Sequence, residues 1–249
     1  MFPLSGRFLA RGVGHVRGYS AEQIRGAERA HLEAGEPLMA RAAEGLADAV
    51  EGLVTRPGRP LRTSHVCVLA GSGDNGGDAL YAAAALAARG SSVTVVPVGS
   101  RLHEGGRTAA EVAGATVLDR TSGSDEDLVR RAVEAAIRSD AVVDGIIGTG
   151  TSADPSLRGL GRAVVVALLS EPRWAGSGAA VVAVDLPSGV HPDTGAADDA
   201  VLPADLTVTF GGAKAGLLQG TGARLAGRIE VVPIGIEEDL EALTPVVET

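Results

Sequence analysis

The chain has 249 residues, 22 basic and 31 acidic side chains for a formal charge of −9, and 45% hydrophobic residues, which suits one α/β domain with a full core. The acidic balance and the lack of a basic run exclude nucleic acid as a main partner, because phosphate-backbone binding needs clustered Lys and Arg. A single cysteine, Cys67, excludes an internal disulfide; no apolar stretch is long enough for a membrane span, and the five histidines have no metal-ligand spacing, so the expectation is a cytoplasmic protein without a zinc site.

Residues 1–18 carry Arg7, Arg11 and Arg17 among glycines and a proline, with no acid before Glu22, and read as a disordered extension rather than a transit peptide. Ser20 and Gln23 have the spacing of a capping box that opens a helix. After Gly35-Glu36-Pro37, Leu38, Ala42, Leu46, Val50 and Leu53 recur at helical spacing, and Arg56-Pro57-Gly58-Arg59-Pro60 breaks the pattern. Strands then follow near 65–70, 92–98, 115–118, 140–147, 180–185, 205–210 and 228–232, with helical segments in most gaps. Near-continuous apolar strands such as Ala179–Val184 fit burial on both faces. The predicted fold is a single-domain, Rossmann-like three-layer αβα sandwich over 19–236 with a mostly parallel central sheet, followed by an acidic tail over 237–249.

The stretch Gly71-Ser72-Gly73-Asp74-Asn75-Gly76-Gly77-Asp78 links a predicted strand to an alanine-rich helix and satisfies G-x-G-x-x-G. Asp74 and Asp78 stand where a pyrophosphate meets a helix N-terminus in a redox Rossmann site, and fixed carboxylates there repel it. The next strand runs into Gly99-Ser100-Arg101 and offers no acid for a ribose diol, although Arg101 suits a 2′-phosphate. An NADP-dependent oxidoreductase is thereby disfavoured, and a Walker A loop fails for want of a Lys-Ser/Thr pair. Helix capping accounts for one aspartate but not for the whole Asp-Asn-Gly-Gly-Asp cluster.

Three further clusters sit at strand ends, where ligands bind in parallel sheets: Asp144 through Gly150, Asp185-Leu186-Pro187-Ser188-Gly189, and Thr209-Phe210-Gly211-Gly212-Ala213-Lys214. An acid in an apolar strand is costly unless it is paired, hydrogen-bonded or bound to an ion; for Asp144 alone a capped turn or an arginine pair serves equally well. Lys214 is the only lysine beside 21 arginines. Its place beside strand-end glycines predicts a local need for a compact ammonium, facing either a substrate phosphate or a clustered aspartate.

These four ordered motifs, with Gln23-Ile24-Arg25, Glu28 and Leu38-Met39-Ala40-Arg41-Ala42 in support, resemble the NAD(P)H-hydrate epimerases, the YjeF N-terminal domain family, from Ser20 to about Ile236. The resemblance implies a Rossmann-like homodimer that interconverts the R and S hydrates of NADH and NADPH at C6, with the nucleotide as substrate. It implies substrate contacts from Asp74, Asn75, Gly76, Gly77 and Asp78, from Gly148, Thr149, Gly150, Thr151, Ser152, Ala153 and Asp154, and from Asp185. It also implies a potassium ion held by Asn75, Asp144 and Ser188, whose hard oxygen donors suit an alkali ion. Asp185 is the candidate general acid and base, with Asp78 as the runner-up, and Lys214 is added as a substrate-side residue. Asp74 departs from the usual asparagine and Ala79 from a frequent glycine. No phosphotransferase-like motif follows Val232, so dehydration of the hydrate is expected from a separate protein. The competing reading is a non-catalytic nucleotide-binding or scaffolding module of the same fold.

Overall fold

The computed structural model describes residues 16–55, 58–148 and 154–249. In chain order these form β1 (Arg17–Tyr19), α1 (Ala21–Glu33), α2 (Leu38–Val54), β2 (His65–Ala70), α3 (Asp74–Ala88), β3 (Ser92–Pro97), α4 (Glu104–Val112), β4 (Thr116–Val117) and α5 (Asp125–Ile137). Then follow β5 (Ala141–Gly145), α6 (Gly159–Ser170), β6 (Ala180–Val184), β7 (Leu206–Phe210), β8 (Ala213–Lys214), α7 (Gly222–Leu225), β9 (Arg228–Val232), α8 (Glu237–Glu241) and β10 (Val247–Glu248). The capping box forms as spaced: Ser20 Oγ accepts from Gln23 N at 3.1 Å, and Ser20 N donates to Gln23 Oε1 at 2.9 Å.

Seven strands make a sheet in the order β4-β3-β2-β5-β6-β7-β9, with every neighbouring pair parallel. Side chains alternate between two cores, as the pleat demands. Val66, Val68 and Ala70 of β2 face the helices α2, α3 and α4, while Cys67 and Leu69 face α5 and α6. This is the three-layer sandwich the apolar runs imply. Cys67 is wholly buried and burial pushes its thiol up to about 12, so it is an inert core group.

The chain leaves β2 in one direction through β3 to β4 and then restarts on the other side with β5, β6, β7 and β9. The reversal falls between β2 and β5, whose ends pair as Leu69 with Asp144 and Ala70 with Gly145. Parallel strands diverging there leave a crevice at their carboxyl ends.

A second, three-stranded sheet places β1 between β10, antiparallel, and β8, parallel. Arg17 and Gly18 therefore belong to a strand, a correction to the expected extension over 1–18; residues 1–15 lie outside the described residues. The acidic tail is also built in, through α8 and β10. The small sheet matters because it pairs Tyr19 with Lys214 and so fixes the position of the lysine.

Candidate active site

The crevice between β2 and β5 is a cavity of about 470 Å³ whose lining includes Gly73, Asp74, Asn75, Gly148, Asp154 and Arg158. The two strand ends approach so closely that a Cβ on Gly71 would lie 1.8 Å from Ile146 O, which makes glycine the one residue that fits. Gly73 is the N-cap of α3 and no side chain caps it, so neither Asp74 nor Asp78 is there for capping. Asp74, in the first turn, is exposed to the cavity, whereas Asn75, Gly76, Gly77 and Asp78 are buried.

Behind this loop the sheet gathers charge. Asp185 follows β6 with φ +69°, the only non-glycine positive φ among the described residues, a conformation that costs of order 1–3 kcal/mol and persists only where surroundings enforce it. The enforcement is visible. Its N–H donates to Val208 O at 2.7 Å, and its Oδ1 accepts from Thr209 Oγ1 at 2.9 Å, from Phe210 N at 3.4 Å and from Lys214 Nζ. Lys214 also donates to Phe210 O at 3.1 Å and is 2% exposed, so the ammonium is committed to a clustered aspartate. Asp78 completes the group. Burial, reinforced by the neighbouring charges of Asp185 and Asp74, holds its carboxyl well above the usual 3.8. Behind the glycine loop, then, lie a buried Asp185 paired with Lys214 and a buried Asp78 whose carboxyl is raised by burial and by its acidic neighbours.

Asp144, at the end of β5, is 1% exposed, and its Oδ2 accepts from Ser188 N at 2.9 Å. Burial pushes its carboxyl up, against the hydrogen bonds from Ser188 and Ile146, and it has no ion-pair partner among the described residues. Ser188 Oγ accepts from Ile147 N at 3.0 Å. Asn75 Nδ2 donates to Val184 O at 2.6 Å, which turns Oδ1 towards Gly148, where an added Cβ would come within 2.2 Å of it. The three oxygen donors named from the sequence therefore border the same strand ends, with the buried Asp144 carboxyl among them.

Of the second predicted substrate loop, Thr149, Gly150, Thr151, Ser152 and Ala153 lie outside the described residues. Gly148 and Asp154 line the cavity. Asp154 accepts from Ser156 N at 3.0 Å and pairs with Arg158 at 2.7 Å, which together lower its carboxyl to about 2. Asp198 accepts from Leu157 N at 3.0 Å while pairing with Arg162 at 2.6 Å, which ties Leu157 to α6.

Sequence reasoning gave no role to Arg158 or Ser156, which line the cavity, and used Glu28 only as supporting likeness. The fold places Glu28 of α1 in the field of Lys214, Asp185 and Asp74; burial raises its carboxyl, against the pull of Lys214.

Fold and site together define a Rossmann-like α/β domain with a ligand cleft at its topological switch point, lined by the glycine loop and the start of α3, with Asp78, Asp144 and Asp185 buried behind that lining and not part of it. Comparison with known proteins agrees. The family model described as YjeF-related protein N-terminus matches residues 35–216, and this chain belongs to that family. A Clavibacter michiganensis subsp. michiganensis protein named NAD(P)H-hydrate epimerase is 49% identical over 231 residues, covering 92% of this chain and 94% of that protein. A Microbacterium testaceum protein of the same name is 45% identical, covering 93% and 84%. A Mycobacterium leprae protein named bifunctional NAD(P)H-hydrate repair enzyme is 38% identical over 79% of this chain, which covers 37% of that longer protein. The crystal structure of the yeast protein ynu0 shares the fold, with a TM-score of 0.65 at 22% identity, covering 81% and 83% of the two chains.

Proposed function

We infer that this chain interconverts the R and S hydrates of NADH and NADPH by proton transfer at the C6 hydroxyl. The observation that carries the chemistry is the burial of Asp78, which with its acidic neighbours raises its carboxyl, near an Asp185 held by Lys214. Asp78 donates its proton to the hydroxyl as the C6–O bond breaks, the ring-nitrogen lone pair forms an N1=C6 iminium, and water departs. Water then adds to C6 from the opposite face and returns a proton to Asp78. The cycle breaks and makes one C6–O bond and consumes no oxidant or reductant. Asp185 faces the developing cation as a fixed carboxylate, the preorganised electrostatics that stabilise a charged intermediate. This assigns the acid to Asp78 and the electrostatic role to Asp185, the reverse of the order the sequence suggested. The test is direct: purified protein mixed with the R hydrate should bring it to the epimer mixture far faster than buffer, followed by chromatography, and equality with buffer would sink the reading.

The same reading includes a potassium ion. The donors fit it, since Asn75 Oδ1, the Asp144 carboxylate and Ser188 Oγ are hard oxygens and Asp144 is buried without a cation among the described residues. When bound, the ion supplies fixed positive charge beside the cleft; it holds the glycine loop, and no proton passes through it. Melting temperature is expected to rise in potassium relative to tetramethylammonium at equal ionic strength, because the ion binds the folded state alone. Identical melting curves in the two salts would remove the ion from the proposal. Also carried from the family are a homodimeric, cytoplasmic protein and a hydrate dehydratase acting in the same pathway.

A further inference from the structure

Beside the main cleft lies a second cavity of about 340 Å³, lined in part by Gly99, Ser100, Arg101, Arg107 and Arg120. The two share Gly99 as a common wall. At that wall the loop after β3 is pressed onto the glycine loop: a Cβ on Gly99 would lie 2.4 Å from Ser72 Oγ and 2.5 Å from Ser72 N. Arg101 N donates to Ser72 Oγ at 3.4 Å, and Arg120 donates a guanidinium hydrogen bond to Gly99 O. A ligand in the cleft therefore reaches the arginines by crossing one residue.

The charge in this cavity is unusual for a chain of net −9. Three arginines meet one acid, Asp119, whose Oδ1 is already engaged by Thr121 N and Thr121 Oγ1, each at 2.7 Å. Arg107 pairs with Glu111 at 2.9 Å along α4, but Arg101 has no ion-pair partner among the described residues. The position is informative as well. Wherever the diphosphate is seated, an acid beside the adenosine ribose holds a free 2′-hydroxyl, and an arginine there accommodates a 2′-phosphate. Here the loop after β3, Gly99-Ser100-Arg101, brings a hydroxyl and a guanidinium but no acid.

We propose that the cavity formed by Arg101, Arg107 and Arg120 binds the adenosine 2′-phosphate, so that this site selects the hydrate of NADPH over that of NADH. The inference rests on the hydrate reading of the main cleft for its substrate, but not for its phosphate chemistry. A phosphomonoester is the ligand these groups fit, because guanidinium forks match its oxygens with charge-assisted hydrogen bonds. The substrate's own diphosphate shares that chemistry and is distinguished by the choice of probes.

Affinities of the wild-type protein and Arg101→Ala for adenosine 2′,5′-bisphosphate, ADP and 5′-AMP, measured by calorimetry, provide the first test. The wild type should bind the 2′,5′-bisphosphate about tenfold or more tightly than the other two, the scale of one charged hydrogen bond, and Arg101→Ala should erase the difference. Equal affinities, an ADP preference, or a 2′-preference that survives Arg101→Ala would each overturn the proposal. In the second test, the ratio of kcat/KM for the NADPH hydrate to that for the NADH hydrate should fall about tenfold or more in Arg101→Ala, mostly through KM. If the nucleotides behave as expected and neither hydrate is epimerised, the function proposed above fails and the phosphate site stands. If both hydrates turn over with equal kcat/KM, the function stands and the selectivity fails. Arg101 is exposed, so its loss leaves the fold in place.

Discussion

Asp78→Asn is expected to lower the epimerisation rate by about 10²–10⁴-fold, the span that general acid–base catalysis contributes. The amide fills the same buried space beside Asp185 and keeps a polar group there but has no proton to give. The same change should affect stability in the opposite direction. A carboxyl raised above its unfolded value of 3.8 by burial contributes stability that is fully present below that value and is lost as pH rises through the folded value. Asparagine does not ionise, so the melting temperature of Asp78→Asn relative to wild type should climb as pH rises from 3.8 through the folded value and level off above it. Loss of rate with a rising stability difference separates a catalytic carboxyl from a mutation that merely damages the fold. Retained turnover, or a stability difference that stays flat across that pH range, would refute the assignment. Asp185→Asn should lose rate too, with asparagine chosen because it tolerates the left-handed backbone at φ +69°.

Lys214→Met should cost about 3–5 kcal/mol of folding stability, because it leaves the Asp185 carboxylate buried without its ammonium. Three outcomes are expected together: a large fall in melting temperature at neutral pH, partial recovery on acidification as the orphaned carboxylate is neutralised, and a smaller loss when Lys214→Met is combined with Asp185→Asn than the two single changes predict. Additive losses in that cycle would mean that the ion pair has no energetic coupling. Lys214→Arg keeps the charge but forces a larger planar group into a site with 2% exposure, and its activity should fall as well. The lone lysine among 21 arginines is then explained by volume: a compact ammonium on a thin stem is what the space between β8 and Asp185 accepts.

The small sheet of β1, β8 and β10 explains why this lysine is so tightly held, and it is also the part of the fold the sequence shows least. Strands of two or three residues have no measurable period, and their partners lie at opposite ends of the chain. Arg17 and Gly18 consequently looked like an extension, and the tail over 237–249, acidic enough for a terminal helix, gave no sign of its strand. By contrast, His65–Ala70 and Ala180–Val184 were legible because a strand buried on both faces must be apolar almost throughout, and burial on both faces is a local demand on composition.

Within the site, the sequence by itself determined which chemistry was on offer: carboxylates at strand ends, glycines where backbones must touch, and one lysine among them. It also determined that a redox pyrophosphate site was a poor fit, since Asp74 and Asp78 place negative charge at the start of α3. Strand order was beyond it, because nothing in β2 or β5 states that the chain reverses between them, yet that reversal opens the cleft. Nor did spacing tell Asp74 from Asp78. They lie four residues apart on one helix, and only the packing of the sheet against α3 leaves the first in solvent and buries the second beside Asp185. Arg101, Arg107 and Arg120 belong to separate segments with no shared motif and became one cavity through the pairing of β3 with β4. Sequence fixes residue type and local period, which are short-range properties; burial, pairing and pKa depend on what the folded chain brings from far away, and those quantities decide which of several acids keeps its proton.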